Sequence, residues 1–270
     1  MKPKKVKTFS ELKELLDGLL SKGYIFRGIS KDDQLLPKLL QGGKDYSNKE
    51  LALLAEFEKY YGLFSHANNY WEFLSIAQHY GLMTRLIDFS ANPYVALFFS
   101  TYNPARGKEG CYKIYAIAKN KLKGVKTALR QEGTLFVANP DDSFCAILGS
   151  AFETLKQQPG DPIYIVKPSF RTSRIFAQQG LFVVPSILEK DRILNTFKKK
   201  ARVIVIPEDI RKKAKKYLEK IGFDEAHLMQ DLASVCSDLN SRVRYLKQKT
   251  SQEIQQLTIA TDEEIDNIFR

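Results

Sequence analysis

The stretch from Gln78 to Ser100 holds the densest group of side chains that could do chemistry. Arg85 and Asp88 stand there among apolar residues. Because an isolated charge is costly to bury, each of these two groups must be paired or must face a cavity. An internal pair between Arg85 and Asp88 that only holds the loop is one interpretation, and a ligand site is the other.

A further charged candidate, Arg27, lies inside the short apolar segment 24–28, which is predicted to be a strand. A buried guanidinium needs a carboxylate of the fold or an anionic ligand. Gly28 follows at once, and a glycine in a strand lets another group approach the backbone closely. The alternative is an arginine on the solvent side of an edge strand.

Two adjacent amides, Gln178 and Gln179, stand before Gly180 at the entrance to a predicted strand. Side-chain amides offer both donors and acceptors, so they are suited to the wall of a cleft. An exposed turn is the alternative interpretation.

The helices around the central stretch follow from local rules. Asn69 is placed to cap a helix that Gly81 can end in the left-handed conformation. Pro93 restarts a helix, because proline suits the first helical turn. Residues 94–102 are apolar nearly all round and are therefore predicted to be buried. The two charged residues of the stretch are thus expected in a connection between two buried helices.

Short apolar strands that alternate with helices predict a mixed α+β domain. Strands are predicted at 24–28, 110–118, 134–138, 162–168, 181–184 and 202–206. We expect a single domain over residues 8–240, followed by a helical tail over 241–270.

The composition narrows the class of protein. The chain has 270 residues, of which 44% are hydrophobic, and this is ample for a core. No apolar run reaches the roughly 18 residues needed to cross a bilayer, and we expect a cytoplasmic location without membrane association. The cysteines and histidines are scattered without the spacing of a metal site, so no bound metal is expected. They are Cys111, Cys145, Cys236, His66, His79 and His227.

The formal net charge of +11 is concentrated in one part of the chain. Between Lys190 and Lys220 there are twelve Lys and Arg residues against four acidic residues. Such a stretch suits an anionic partner, either a nucleic acid or a phosphate-rich small molecule. The alternative is a solvated basic helix, because the lysines from 212 to 216 lack interleaved aromatic residues for stacking on single strands.

Together these motifs resemble the FRG-domain family of bacteria and phages, which is named for its Phe-Arg-Gly signature. The resemblance spans about residues 8–240 and departs from the family pattern at Gln41 and at Met229-Gln230. It rests on Phe26-Arg27-Gly28, Gln78-His79-Tyr80-Gly81, Thr84-Arg85-Leu86-Ile87-Asp88-Phe89, Asn92-Pro93, Arg174 and Gln178 to Phe182, and faintly on Asp231-Leu232.

FRG domains are similar in layout to ADP-ribosyltransferase-like folds, and that resemblance implies roles for individual residues. Arg27 would hold NAD through its phosphates or ribose, and Tyr80 and Phe89 would sandwich the nicotinamide. Gln178 or Gln179 would occupy the position where active transferases usually place Glu. The implied catalytic residues are Arg27, Arg85, Asp88 and Gln179, and the implied nucleotide contacts are Phe26, Gly28, His79, Tyr80, Thr84, Phe89 and Gln178.

The resemblance implies a nucleotide-binding domain that could transfer ADP-ribose from NAD in conflict between bacteria and phages. Breaking the glycosidic bond of NAD makes positive charge on the ribose, which a carboxylate stabilises better than an amide. An active enzyme would therefore recruit Asp88 or Glu153. The alternatives are a module without turnover that senses a nucleotide or binds nucleic acid, and an interaction protein whose central motif is only core. The sequence leaves the oligomeric state open.

Overall fold

The computed structural model describes residues 3–30, 35–41, 45–61, 69–102, 112–125, 143–160, 162–167 and 173–229. All of them belong to the first of two compact units, residues 1–230. The predicted strand at 134–138 and the predicted tail at 241–270 lie outside the described residues.

Eight strands of the described chain form one mixed sheet, in the order β1-β8-β4-β2-β3-β7-β6-β5. Neighbouring strands are antiparallel except for the two outer pairs, β1 with β8 and β5 with β6, which are parallel. The strands are β1 (Lys4–Lys5), β2 (Tyr24–Ile29), β3 (Ile87–Ser90), β4 (Lys113–Ala118), β5 (Lys123–Gly124), β6 (Ile163–Val166), β7 (Gly180–Pro185) and β8 (Ala201–Val205).

Helices cover both faces of the sheet, so the expected α+β fold is confirmed. The helices of the described residues are α1 (Phe9–Ser21), α2 (Glu50–Tyr61), α3 (Tyr70–His79), α4 (Pro93–Tyr102), α5 (Phe144–Gln157), α6 (Ser173–Ala177), α7 (Lys190–Lys200), α8 (Glu208–Lys220) and α9 (Glu225–Met229). The predicted start of α3 is confirmed, because the Asn69 side chain accepts hydrogen bonds from the backbone N–H groups of Trp71 and Glu72.

One face of the sheet packs against α7. Alternate residues of a strand point to opposite faces of the sheet, so every second residue of each central strand points toward α7. Ile193 and Phe197 of α7 contact these strand residues in a single buried cluster. The strand residues include Ile25, Ile87, Phe89, Ile117, Leu181 and Val183.

The opposite face carries two separate groups of helices. Over β2, β4 and β8, a buried cluster contains residues of α1, α4 and α8. Over β6 and β7, another buried cluster contains residues of α2, α3 and α5. The central strands β2 and β3 therefore lie where the two groups of helices meet.

The contact between β2 and β3 is short. These strands share one register pair, Phe26 with Ser90. By contrast, β2 pairs with β4 along its whole length from Tyr24 to Ile29. The middle of the sheet therefore leaves room for a side chain between two strands.

Gly28 lets helix α4 pack directly on β2. A Cβ atom at this position would lie 1.7 Å from the backbone oxygen of Ala96. The close approach expected from the sequence is therefore made by a helix of the fold.

Asp88 lies in strand β3, whereas the sequence predicted a connection between helices. Arg85 does lie in the connection, between α3 and β3. The strand conformation matters because it sends Asp88 and Phe89 to opposite faces of the sheet.

Candidate functional site

A cleft of about 440 Å³ lies over β2 and β3, between helices α3 and α4. Ligand pockets in proteins usually have volumes of about 300–1,000 Å³, so the cleft is large enough for a small molecule. Its polar and charged lining residues are Arg27, Ser30, Lys38, Ser75, Gln78, His79, Asp88, Ser90, Arg174 and Gln178.

Arg27 and Asp88 meet inside this cleft. The Nη1 atom of Arg27 donates a hydrogen bond to the backbone oxygen of Asp88 at 2.7 Å. The same atom lies 3.6 Å from the Oδ2 atom of Asp88. The guanidinium thus bridges β2 and β3 near the place where their pairing stops, and it is paired with a carboxylate of the fold.

The Asp88 carboxylate is held from the other side by Gln78 of helix α3. The Nε2 atom of Gln78 donates to Oδ1 of Asp88 at 2.7 Å. Behind it, the hydroxyl of Thr84 donates to the Oε1 atom of Gln78. Thr84 is fully buried, and its Oγ1 atom also accepts the backbone N–H of Leu86 at 3.2 Å. The carboxylate is therefore held by one hydrogen bond, from the Gln78 amide, and has a longer ion-pair contact with Arg27.

The charges that line the cleft are mainly positive. Lys38 is exposed and Arg174 is half-buried, and within the described residues neither forms an ion pair. Among the described lining residues, these two and Arg27 give three cations against the single carboxylate of Asp88. A concave site with this excess of positive charge attracts anions.

Arg85 does not belong to the cleft, although the sequence grouped it with Arg27 and Asp88. Its Nη2 and Nε atoms both lie 2.7 Å from the Oε2 atom of Glu50. Its guanidinium carbon also lies 3.4 Å from the centre of the Phe152 ring. The internal ion pair that the sequence suggested thus exists for Arg85, but its partner is Glu50.

The two adjacent glutamines have different positions. Gln178 lines the cleft, and its Nε2 atom donates to the backbone oxygen of Leu228 at 3.0 Å. Gln179 is exposed and does not line the cleft. Its backbone is left-handed, with φ at 46°. The sequence did not decide which of the two glutamines faces the cleft. In the structure Gln178 does, and Gln179 points away from it.

The aromatic residues expected to sandwich a nicotinamide do not face each other across the cleft. Tyr80 is 77% exposed and lies outside the lining residues. Phe89 borders the cleft but is 3% exposed, and its ring stacks on Phe197 at 6.4 Å. The expectation was wrong because β3 directs Phe89 to the face that α7 covers.

The remaining expected contacts have mixed positions. His79 lines the cleft. Phe26 and Gly28 border it through β2, but Phe26 is fully buried against α4, and the space beside Gly28 is filled by that helix. Thr84 supports the cleft from below without lining it.

Lys38 was not predicted as a site residue, and Gln78 and Arg174 were quoted only as parts of the family motif. Lys38 is exposed, whereas the leucines on both sides of it in the sequence are buried. A lysine inside a leucine-rich segment is therefore the feature of the sequence that indicates it. Gln78 stands ten residues before Asp88, but the contact between them depends on how the connection folds.

The basic stretch from Lys190 to Lys220 does not form one surface. Helix α7 packs on one face of the sheet through Phe197. Helix α8 packs on the opposite face through Ala214. The positive charge is therefore divided between two sides of the described unit.

The described residues contain no group of three or more His, Cys, Asp or Glu side chains that could hold a metal ion. No helix in the described ranges has both the length and the apolar character that a bilayer span needs.

In a comparison with known protein families, residues 22–109 match the family model described as FRG domain. The matched range contains β2, β3 and α4, and with them Arg27, Gln78 and Asp88 of the cleft. It confirms the resemblance for that part of the chain. Searches of curated proteins and of solved structures returned no significant match.

Proposed function

Because the chain carries an FRG domain over residues 22–109, with a cationic cleft at its centre, we propose that this cleft binds a phosphate-bearing nucleotide of the NAD type. Transfer of ADP-ribose from NAD is the reaction that we propose for it. The observation that carries the proposal is that, among the described residues, three cations, Arg27, Lys38 and Arg174, and one carboxylate, Asp88, line the same cleft of about 440 Å³.

The cations account for binding of the phosphates. Arg27 comes from β2, Lys38 from the turn after it, and Arg174 from α6, so they approach the cleft from separate elements. Guanidinium groups bind phosphate oxygens through paired, charge-assisted hydrogen bonds. The Nη1 atom of Arg27 is already engaged by the backbone oxygen of Asp88, at 2.7 Å.

The apolar part of the lining suits the planar rings of such a nucleotide. Val95 and Phe99 of α4 border the cleft, and Phe99 is half-buried. An apolar wall beside a few placed polar groups is the usual composition of a small-molecule site. In this arrangement a base or nicotinamide ring packs on α4 while the phosphates face the cations.

Asp88 is the residue that we propose to support the chemical step. In that step the bond between the ribose C1′ carbon and the nicotinamide nitrogen breaks, and its electron pair leaves with nicotinamide. Water or a nucleophile on a macromolecule then forms the new bond to C1′ and releases its proton to solvent. A fixed carboxylate stabilises the positive charge that develops on the ribose.

The alternative carboxylate, Glu153, is a poor candidate for this role. It lies on α5 with its side chain 65% exposed, next to Lys156, and it is not among the lining residues. The side chain of Asp88 is 62% exposed within the cleft, so a ligand can reach it. Among the lining residues of the described chain, Asp88 is the only Asp or Glu.

A second candidate function is nucleotide binding without turnover. The ion pair with Arg27 favours it, because a neighbouring cation weakens the effect of a carboxylate on developing positive charge.

We also propose that the exposed lysines of α8 bind a nucleic acid, which could be the molecule that is modified. This proposal rests on charge alone. A role in conflict between bacteria and phages is proposed from the family resemblance alone.

Substitution of Asp88 distinguishes the two proposed functions, turnover of NAD and nucleotide binding without turnover. We expect wild-type protein to release nicotinamide from NAD, and Asp88→Asn to lose about 100-fold of that rate, since removal of one electrostatic stabiliser commonly costs 10²–10³ in turnover. Nicotinamide release should be followed by chromatography, with and without cell extract as acceptor.

Binding of ADP-ribose provides the control for this experiment. Asp88→Asn should still bind ADP-ribose, because the cations of the cleft remain. If wild-type protein binds ADP-ribose but releases no nicotinamide under any of these conditions, the module without turnover is correct. If it does neither, the proposed function is wrong.

A further inference from the structure

We infer that Thr84, which is buried below the cleft and touches none of its open volume, is a positioning residue that fixes the Asp88 carboxylate through Gln78. As far as turnover is concerned, this inference rests on the proposed function. The hydrogen-bond geometry on which it stands does not depend on any ligand.

The two hydrogen-bond partners of the Thr84 hydroxyl determine where it accepts and where it donates. The backbone N–H of Leu86 can only donate, so the Oγ1 atom of Thr84 accepts from it at 3.2 Å. A hydroxyl has one proton, and that proton is then free for the other partner, the Oε1 atom of Gln78. Thr84 is therefore a donor toward Gln78.

This donation fixes which way the Gln78 amide faces. The carboxamide could present either its oxygen or its nitrogen to Asp88, and an oxygen would repel the carboxylate. With Oε1 held by Thr84, the Nε2 atom points at Oδ1 of Asp88, at 2.7 Å. Gln78 is buried, so water has little access to replace the lost partner.

The Asp88 side chain has few other restraints. Its second oxygen lies 3.6 Å from the Nη1 atom of Arg27, which is longer than a hydrogen bond. The side chain is 62% exposed, so packing does not hold it. Without the donor from Gln78, no hydrogen bond from the described residues holds the carboxylate in this orientation.

A pair of substitutions at Thr84 tests this inference. Thr84→Val keeps the shape and removes the hydroxyl, whereas Thr84→Ser keeps the hydroxyl. The first readout is the side-chain amide signal of Gln78 in ¹⁵N–¹H NMR spectra, identified by its loss in Gln78→Met. We expect this signal to shift in Thr84→Val and to stay in place in Thr84→Ser.

The second readout is nicotinamide release. Thr84→Val should lower kcat by about 100-fold, because small displacements of a reacting group have effects of that order. KM should stay within about twofold, since the phosphate-binding cations are untouched, and Thr84→Ser should recover most of kcat. A merely structural threonine would lower the active fraction without this dependence on the hydroxyl.

The two failures can be distinguished. If the Gln78 signal and kcat are unchanged in folded Thr84→Val, the positioning role is wrong while the proposed function stands. If wild-type protein has no turnover, the proposed function fails, and the NMR signal alone decides whether Thr84 orients Gln78. Should Thr84→Val fail to fold, Thr84→Ala, which also lacks the hydroxyl, gives the same two readouts.

Discussion

Replacing Gly28 with alanine is expected to prevent stable folding, with a loss of more than about 4 kcal/mol in the free energy of unfolding. The added Cβ atom would lie 1.7 Å from the oxygen of Ala96 and 2.8 Å from the nitrogen of Ser100. Both are backbone atoms of α4, so no side-chain rotation can relieve the overlap. Helix α4 would have to move off β2 and expose buried Leu97.

Circular dichroism during urea denaturation measures this effect. Gly18→Ala is the matched control, because Gly18 lies within α1 and a Cβ atom there meets nothing within 4 Å. Since alanine favours helices more than glycine does, we expect the control to gain up to about 1 kcal/mol. A Gly28→Ala protein as stable as wild type would contradict the packing of α4 on β2.

Replacing Arg85 with alanine is expected to cost about 3–5 kcal/mol, the usual effect of removing one partner of a buried ion pair. Arg85 and Glu50 are both buried. The carboxylate of Glu50 also accepts the backbone N–H of Arg85 at 2.8 Å, so it cannot turn away easily. Without the guanidinium it would stay as a nearly isolated charge in a mainly apolar region.

Replacing both partners of the ion pair together tests this interpretation. Replacing both partners, with Glu50→Leu and Arg85→Met, should recover part of the stability that Arg85→Ala loses, because no unpaired charge remains. Glu153→Ala removes an exposed ion pair with Lys156 as the control, and we expect it to cost less than about 1 kcal/mol. If Arg85→Ala costs no more than this control, the ion pair does not support the fold.

The ion pair of Arg85 also illustrates what the sequence could not reveal. The residue types showed that Arg85 needed a partner, and Asp88 was the obvious neighbour. Its partner Glu50 stands 35 residues earlier and meets it through the packing of α2. Pairings of this kind depend on tertiary structure, so local rules identify the requirement without identifying the partner.

Local signals succeeded where the structure is local. Asn69 caps α3, and Pro93 begins α4, both as predicted. The sequence motifs grouped Arg27 with Asp88, and in the structure these two residues are in contact in the cleft. The sequence did not reveal that Asp88 belongs to a strand, and the orientation of Phe89 was wrong for that reason.

The remaining differences have similar causes. Gln179 adopts a left-handed backbone, which a residue other than glycine seldom does, so its outward position had no clear signal. The basic stretch was correctly identified in sequence, but α7 and α8 lie on opposite faces of the sheet. Charge counts along a chain do not indicate the direction in which each helix faces.

Calorimetric titration with ADP-ribose measures whether the cleft lined by Arg27, Lys38 and Arg174 binds an anionic ligand. Wild-type protein should bind, and Arg174→Ala should weaken binding about tenfold or more, because hydrogen bonds to charged groups contribute about 1.5–3 kcal/mol. Lys215→Ala, an exposed lysine on α8, should leave the Kd within about twofold. Absence of binding by wild-type protein, or equal affinity in all three proteins, would show that these cations do not form an anion-binding site.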